Sequence, residues 1–208
     1  MISQAIILAG GFGTRISAEN VLKPKPMINI GNRPILWHIM KIYSFHGVKD
    51  FVIALGYKGH VFKDYFLNYN YYTNDITLNL LEDNIKIHNK GTEDWNITLL
   101  DTGENTMTGG RLKLIKPYIQ NEEAFCFTYG DGVSDINIKE LIKFHEERKV
   151  KATLTATLPP GRFGALSING DLVDSFKEKE VDNKSLINGG FFVLSPSVID
   201  YIKDDDVV

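Results

Sequence analysis

Ile6-Ile7-Leu8-Ala9-Gly10-Gly11-Phe12-Gly13-Thr14-Arg15, continued a few residues later by Lys23-Pro24-Lys25-Pro26-Met27, decides how the rest of this chain folds. The apolar run reads as a buried strand, and it breaks at once into Gly10, Gly11 and Gly13, then a hydroxyl and a cation. Glycine lets the backbone take φ > 0 and approach a ligand closely, so successive N–H groups can point into one concavity and hold an anion. Arg15, Lys23 and Lys25 bring mobile positive charge to the same place. Strand, glycine loop, Thr-Arg and Lys-Pro-Lys-Pro together describe a cradle for a polyphosphate. The plainer reading is a glycine turn that only reverses the chain; the cations beside it favour the cradle.

Two better-known phosphate loops do not fit. A dinucleotide fingerprint needs G-x-G-x-x-G, and Ile16 stands where its third glycine belongs. No strand ending in Asp or Glu follows about 20 residues later to take a ribose hydroxyl. The pattern G-x-x-x-x-G-K-[ST] is absent as well.

Outward from the cradle, the elements alternate. Pro34 suits the first turn of a helix, whose apolar positions Ile35, Leu36, Ile39, Met40 and Tyr43 recur at helical spacing before Gly47 ends it. Phe51 to Leu55 is a continuous apolar strand of the kind buried on both faces, and Val61, Phe62, Tyr65 and Phe66 predict another helix. Ile76 to Leu80 and Ile85 to His88 predict a hairpin across Glu82-Asp83-Asn84. Tyr69 to Tyr72 is aromatic but short of nearby cations, which favours packing or a subunit contact over base stacking. Ile97 to Leu100 resumes the strand pattern and ends in Asp101-Thr102-Gly103. Thr108 is placed to cap a helix through Leu112 and Ile115 that Pro117 helps to stop. Ala124 to Tyr129 is a second core strand, ending in Gly130-Asp131-Gly132. Asn137 to Arg148 is amphipathic, with Ile138, Leu141, Ile142, Phe144 and His145 around one face. Ala152–Leu158, Ala165–Ile168 and Asn188–Leu194 read as strands, and Pro196 as the opening of a last helix. Strand and helix in alternation predict α/β: a Rossmann-like, mixed and mostly parallel sheet flanked by helices.

Composition bounds the rest. A chain of 208 residues is read as one domain over 1–208, long enough to bury about 70% of its unfolded surface. A net charge of −3 argues against general nucleic-acid binding, so an anion site must be built locally. The single cysteine, Cys126, lies in an apolar run and reads as a core thiol rather than a nucleophile. The five histidines show no spacing that implies a catalytic or metal cluster. Nothing near the N-terminus has a signal-peptide layout and no apolar run spans a bilayer, which makes the cytoplasm the default expectation.

In open α/β sheets ligands sit outside the carboxyl ends of strands, near a topological switch. The cradle and Asp131 each follow a strand, so both are expected at one edge. Asp131 is a hard-oxygen ligand suited to a Mg²⁺ already bound to phosphates, or, read plainly, a turn residue bonding its own backbone.

L-A-G-G-x-G-T-R followed by K-P-K-P-M resembles the signature of the sugar-1-phosphate nucleotidyltransferases, whose fold is the nucleotide-diphospho-sugar transferase type. Further blocks are similar to one branch, the glucose-1-phosphate cytidylyltransferases: Asp101-Thr102-Gly103, Met107 to Leu112, Thr128 to Gly132, Pro159 to Leu166 and Ile187 to Phe192. The resemblance runs over nearly the whole chain. It implies transfer of a cytidylyl group from CTP to glucose 1-phosphate with Mg²⁺, giving CDP-glucose for 3,6-dideoxyhexose and O-antigen lipopolysaccharide synthesis, by a homo-oligomer. It also implies the site. Backbone of Leu8, Ala9, Gly10, Gly11, Phe12 and Gly13 holds nucleotide. Thr14 and Arg15 meet the triphosphate and leaving group, Lys25 the α-phosphate, and Asp131 the metal. Thr106, Arg111 and Gly130 lie near the base. Glu178 and Lys179 take sugar hydroxyls and phosphate, with Gly164, Asn188 and Gly189 completing the pocket. Taken singly, Lys177-Glu178-Lys179 is a solvated charged strand end and Arg111 a surface helix residue; the order of motifs lifts them above that. Relatives of this kind continue past Asp204-Asp205-Asp206-Val207-Val208 and supply a second metal-binding aspartate from that later part, a role no residue here takes. Three readings stand: a cytidylyltransferase, a uridylyl- or thymidylyltransferase, and a nucleotide- or sugar-phosphate-binding module without turnover.

Overall fold

The computed structural model of the chain describes residues 2–12, 23–88, 91–119, 123–158, 165–169, 172–177 and 186–204. The first apolar run forms β1 (Gln4–Leu8), buried on both faces from Ala5 onward. A 3-10 turn at Lys25–Met27 leads into a small antiparallel pair, β2 (Asn29–Ile30) and β3 (Arg33–Pro34). Then come α1 (Ile35–Phe45), β4 (Asp50–Leu55), α2 (Gly59–Leu67) and α3 (Tyr69–Thr73). The expected hairpin is β5 (Ile76–Asn79) with β6 (Asn84–Ile87), turned at Asp83 with φ 50°. The chain continues through β7 (Asn96–Asp101), α4 (Thr108–Ile115), β8 (Phe125–Tyr129), α5 (Ile138–Arg148) and β9 (Ala152–Thr157). Last are the antiparallel pair β10 (Ala165–Asn169) and β11 (Leu172–Lys177), then β12 (Ile187–Leu194) and a 3-10 turn at Pro196–Tyr201.

Six strands make the central sheet in the order β7-β4-β1-β8-β12-β9. The pairs β7–β4, β4–β1 and β1–β8 are parallel, while β12 runs antiparallel to both β8 and β9. The sheet is therefore mixed and mostly parallel. The chain first moves outward from β1 through β4 to β7, then returns to the other side of β1 with β8. That reversal puts a topological switch beside the carboxyl end of β1, where the loops on either side diverge and leave a crevice.

Strand alternation divides the core between two faces. Ala5, Ile7, Phe51, Ile53, Leu55 and Cys126 pack against Leu36, Ile39, Met40 and Tyr43 of α1, Phe62 of α2, and Ile138 and Leu141 of α5. Ile6, Leu8, Val52, Ala54, Phe125 and Phe127 pack against Leu112 and Ile115 of α4, together with Ile119 and Ile199. Helices on both faces, α1, α2 and α5 on one and α4 on the other, complete the layered α/β arrangement.

Three local expectations are corrected. Pro34 stands just outside its helix in extended geometry (φ −66°, ψ 154°), because the N–H of Ile35 donates to Ile28 O at 2.9 Å and ties the segment to β2. Thr108 is the first helical residue rather than the cap; Met107 takes that place, its carbonyl accepting from Arg111 N–H at 3.0 Å. Phe144, read on the apolar face of α5, is 49% exposed and lies beneath the Arg148 guanidinium, so the buried stripe is Ile138, Leu141 and His145. Asn137 caps α5, its carboxamide oxygen accepting from Glu140 N–H.

Candidate active site

At the switch point lies a cleft of about 450 Å³, walled by Leu8 to Phe12 after β1, Lys25 and Pro26, Glu104 to Thr108 after β7, Arg111 of α4, and Tyr129 to Asp131 after β8. Each wall is the carboxyl end of a parallel strand or the segment that follows it. The first wall is tied down by its neighbours: Ala9 N–H donates to Ala54 O at 2.9 Å, and Gly10 O accepts from Tyr57 N–H at 3.2 Å. Phe12 leans on the Tyr57 ring at 5.3 Å between centroids. The Gly11 α-carbon faces open space.

Asp131 is brought in by Gly130. The Gly130 N–H donates to Leu8 O at 2.8 Å, pulling the end of β8 against the end of β1. A Cβ on Gly130 would lie 2.9 Å from Leu8 O and 3.0 Å from the Pro26 ring, so only glycine lets these three segments meet. The result sets Lys25 Nζ 3.8 Å from Asp131 Oδ2, within ion-pair range but beyond a hydrogen bond. Both side chains keep access to the cleft, at 20% and 48% exposure. The pair is loose enough for either partner to turn to a ligand.

Arg111 is 5% exposed, not a surface helix residue. Its guanidinium donates to Leu55 O, Thr102 Oγ1, Gly103 O, Gly10 O and Glu104 O, at 2.6 to 3.1 Å. Burial lowers its pKa from the usual value, opposed by the nearby Asp101 carboxylate.

Of the residues expected in the site, the structure thus brings Leu8, Ala9, Gly10, Gly11, Phe12, Lys25, Thr106, Arg111, Gly130 and Asp131 into one cleft. Gly13, Thr14, Arg15, Gly164, Glu178 and Lys179 lie outside the described residues. Asn188 and Gly189 begin β12 and do not line the cleft; Asn188 Oδ1 accepts from Gly190 N–H at 2.8 Å. Because β12 is antiparallel to β8, its start lies at the same sheet edge as the cradle. The sequence reading missed Glu104, Asn105, Met107, Thr108 and Tyr129 as walls. The signal for the first of these was available, since Asp101-Thr102-Gly103 ends a strand that belongs to the same parallel set.

The donor set fits a magnesium ion in a limited way. Among the described residues no group of three or more His, Cys, Asp or Glu is gathered. Among the described residues the cleft is lined by two carboxylate side chains, Asp131 and Glu104; such a sparse set suits an ion that keeps several waters and takes its other ligands from phosphates. Cys126, expected to be inert, is fully buried on β8, and burial pushes its thiol up to about 12. Among the described residues no helix is long and apolar enough to cross a membrane.

A cleft at a sheet switch point, floored by a glycine loop and edged by Lys25 and Asp131, stands where open α/β enzymes take their ligands. The chain belongs to the nucleotidyl transferase family, whose model matches residues 4–207. Within it, the glucose-1-phosphate cytidylyltransferase of Salmonella typhimurium is 58% identical over 97% of this chain and 79% of its own length. A probable glucose-1-phosphate cytidylyltransferase of Bacillus subtilis is 44% identical over 97% of this chain and 78% of its own. Among solved structures, HddC from Yersinia pseudotuberculosis complexed with GMP-PN superposes with a TM-score of 0.70, covering 99% of this chain and 82% of that one. At 24% identity that likeness establishes the nucleotidyltransferase fold.

Proposed function

We propose that the chain transfers a cytidylyl group from CTP to α-D-glucose 1-phosphate, releasing pyrophosphate and giving CDP-glucose. The observation that carries this reading is the 58% identity with the Salmonella cytidylyltransferase across 97% of the chain. An oxygen of the sugar phosphate attacks the α-phosphorus of CTP in line; the bond to the β-phosphate breaks, and pyrophosphate leaves with the electron pair. The attacking phosphate has a second pKa near ~6 and is already anionic at neutral pH, so no general base is required. The obstacle is mutual repulsion of two polyanions, and the catalytic task is positioning with charge neutralisation.

The roles follow the cleft. The backbone of Leu8 to Phe12 cradles the nucleotide, and Lys25 offsets charge that accumulates on the α-phosphate. Asp131 holds Mg²⁺, which when bound neutralises phosphate charge. Thr106 and Gly130 stand beside the base. On the strength of motif order, Gly13 continues the nucleotide-holding backbone, Thr14 and Arg15 serve the triphosphate, and Glu178 and Lys179, with Gly164, Asn188 and Gly189, serve the sugar phosphate. The product feeds 3,6-dideoxyhexose and O-antigen lipopolysaccharide precursors in the cytoplasm. The working form is a homo-oligomer, a reading supported by the β5–β6 hairpin, where Leu80 and Leu81 stand 89% and 95% exposed. A two-stranded hairpin without a packed face is marginal in water.

The test is pyrophosphate release with glucose 1-phosphate, Mg²⁺ and each of CTP, UTP, dTTP and ATP. Release with CTP above the others is expected. A preference for UTP or dTTP would keep the mechanism and overturn the substrate. Calorimetric binding of CTP without release would leave a binding module.

A further inference from the structure

Arg111 makes contacts that a base-reading arginine has no need of. Its acceptors belong to three different loops at the carboxyl edge: Gly10 after β1, Leu55 at the end of β4, and Thr102, Gly103 and Glu104 after β7. Four are backbone carbonyls. The fifth, Thr102 Oγ1, itself donates to Leu55 O at 2.6 Å. A buried guanidinium is tolerated only when its donors are satisfied, and its planar fork can hold several fixed acceptors at once where an ammonium cannot.

Two glycines make room for it. A Cβ on Gly10 would lie 2.2 Å from Arg111 Nη1 and 2.4 Å from its Cζ; one on Gly56 would lie 2.5 Å from Nη1 and 2.8 Å from both Nη2 and Gly10 O. Gly11, by contrast, has nothing within 4 Å of its added Cβ. The neighbouring glycines of the cradle therefore do different work: Gly11 leaves space on the ligand side, and Gly10 leaves space for the guanidinium.

We propose that Arg111 is a positioning residue that clamps the three loops into a preformed nucleotide cradle, with Gly10 and Gly56 forming its slot, rather than a reader of the base. The activity readout rests on the cytidylyl-transfer reading; the clamp itself does not. Gly56 lies outside the cleft wall, and its added Cβ would meet Arg111 Nη1 at 2.5 Å and Gly10 O at 2.8 Å, so Gly56→Ala crowds the clamp at the guanidinium and at one of its acceptors.

The experiment compares wild type, Arg111→Lys and Gly56→Ala by amide hydrogen exchange without nucleotide and by steady-state kinetics with CTP and UTP. Both variants should speed exchange at Gly11, Phe12 and Thr102 to Glu104 by ~10-fold, the scale of losing a charge-assisted hydrogen bond. Both should lower kcat/KM for CTP by ~10²-fold, chiefly through KM, with the CTP-over-UTP preference unchanged. Unchanged exchange overturns the clamp. Faster exchange with an unchanged KM overturns the positioning role and leaves a fold stabiliser. Loss of CTP preference in Arg111→Lys alone overturns it in favour of base reading. If Arg111→Lys does not fold, Gly56→Ala decides. If the wild type releases no pyrophosphate with CTP, the transfer reading fails and the exchange arm still tests the clamp.

Discussion

Lys25 and Asp131 carry opposite charges into the same mouth of the cleft and stop 3.8 Å apart. A partly exposed pair at that distance contributes little to stability, since solvent screens it and neither side chain is held by it. Its value is chemical: a cation and a carboxylate stand ready where a triphosphate, its metal and a second anion must be brought together. Lys25→Ala and Asp131→Asn are each expected to lower turnover by ~10²-fold or more, the scale for removing one preorganised charge-stabilising group. Folding should be nearly unaffected, which thermal unfolding of the two variants checks. Near-normal pyrophosphate release in either variant would remove that residue from the mechanism. Lys25 and Asp131 could be picked out in the sequence because each sits in a short motif beside glycine or proline. Arg111 could be named there but not understood. Its partners are mostly backbone carbonyls, which every residue has, and only the fold decides which of them converge.

The elements that could be read best are those buried on both faces. Continuous apolar runs at β1, β4 and β8 admit one interpretation, and the parallel sheet follows from them. Reading was poorer where one residue serves two neighbours, as Pro34 does between β3 and α1, and at β11 (Leu172–Lys177), of which only the charged end at Lys177 stood out in the sequence. His145 of α5, expected on the apolar face of its helix, is buried there, but its partner could not be read from the sequence. It is 4% exposed, and its Nδ1 lies 2.9 Å from Thr153 Oγ1 of β9, joining helix to sheet. Burial lowers its pKa below the usual value, with Glu146 pulling weakly the other way. Below about pH 6.5 the unfolded chain takes up a proton here that the folded chain resists. The unfolded state then binds more protons, and stability is lost as pH falls from ~6.5 through the lowered folded value. The drop in urea midpoint between pH 7.5 and 5.5 should be smaller in His145→Gln, which keeps a partner for Thr153. An equal drop in both proteins would assign the acid sensitivity to other groups.

At the scale of the whole molecule, the core of the described residues falls into two clusters on opposite faces of the sheet, and the cleft opens where β1 parts β4 from β8. Its walls come from segments as distant in sequence as Leu8, Thr106 and Asp131, so the site exists only when the fold does. A ligand for such a site binds the native chain and has nothing comparable to bind in the unfolded one. At a hundredfold excess over Kd, CTP with Mg²⁺ should add about 2.7 kcal/mol of stability. For a protein of this size each kcal/mol moves the thermal midpoint by roughly 2–4 °C, so a rise of about 5–10 °C is expected. UTP at the same concentration separates the two ways the cleft can recognise its ligand. A much smaller rise with UTP means that the wall from Glu104 to Thr108 selects the base while the glycine loop holds phosphates. Equal rises mean that binding is carried by the phosphate cradle alone, and that any preference for cytosine is exerted only in the transition state.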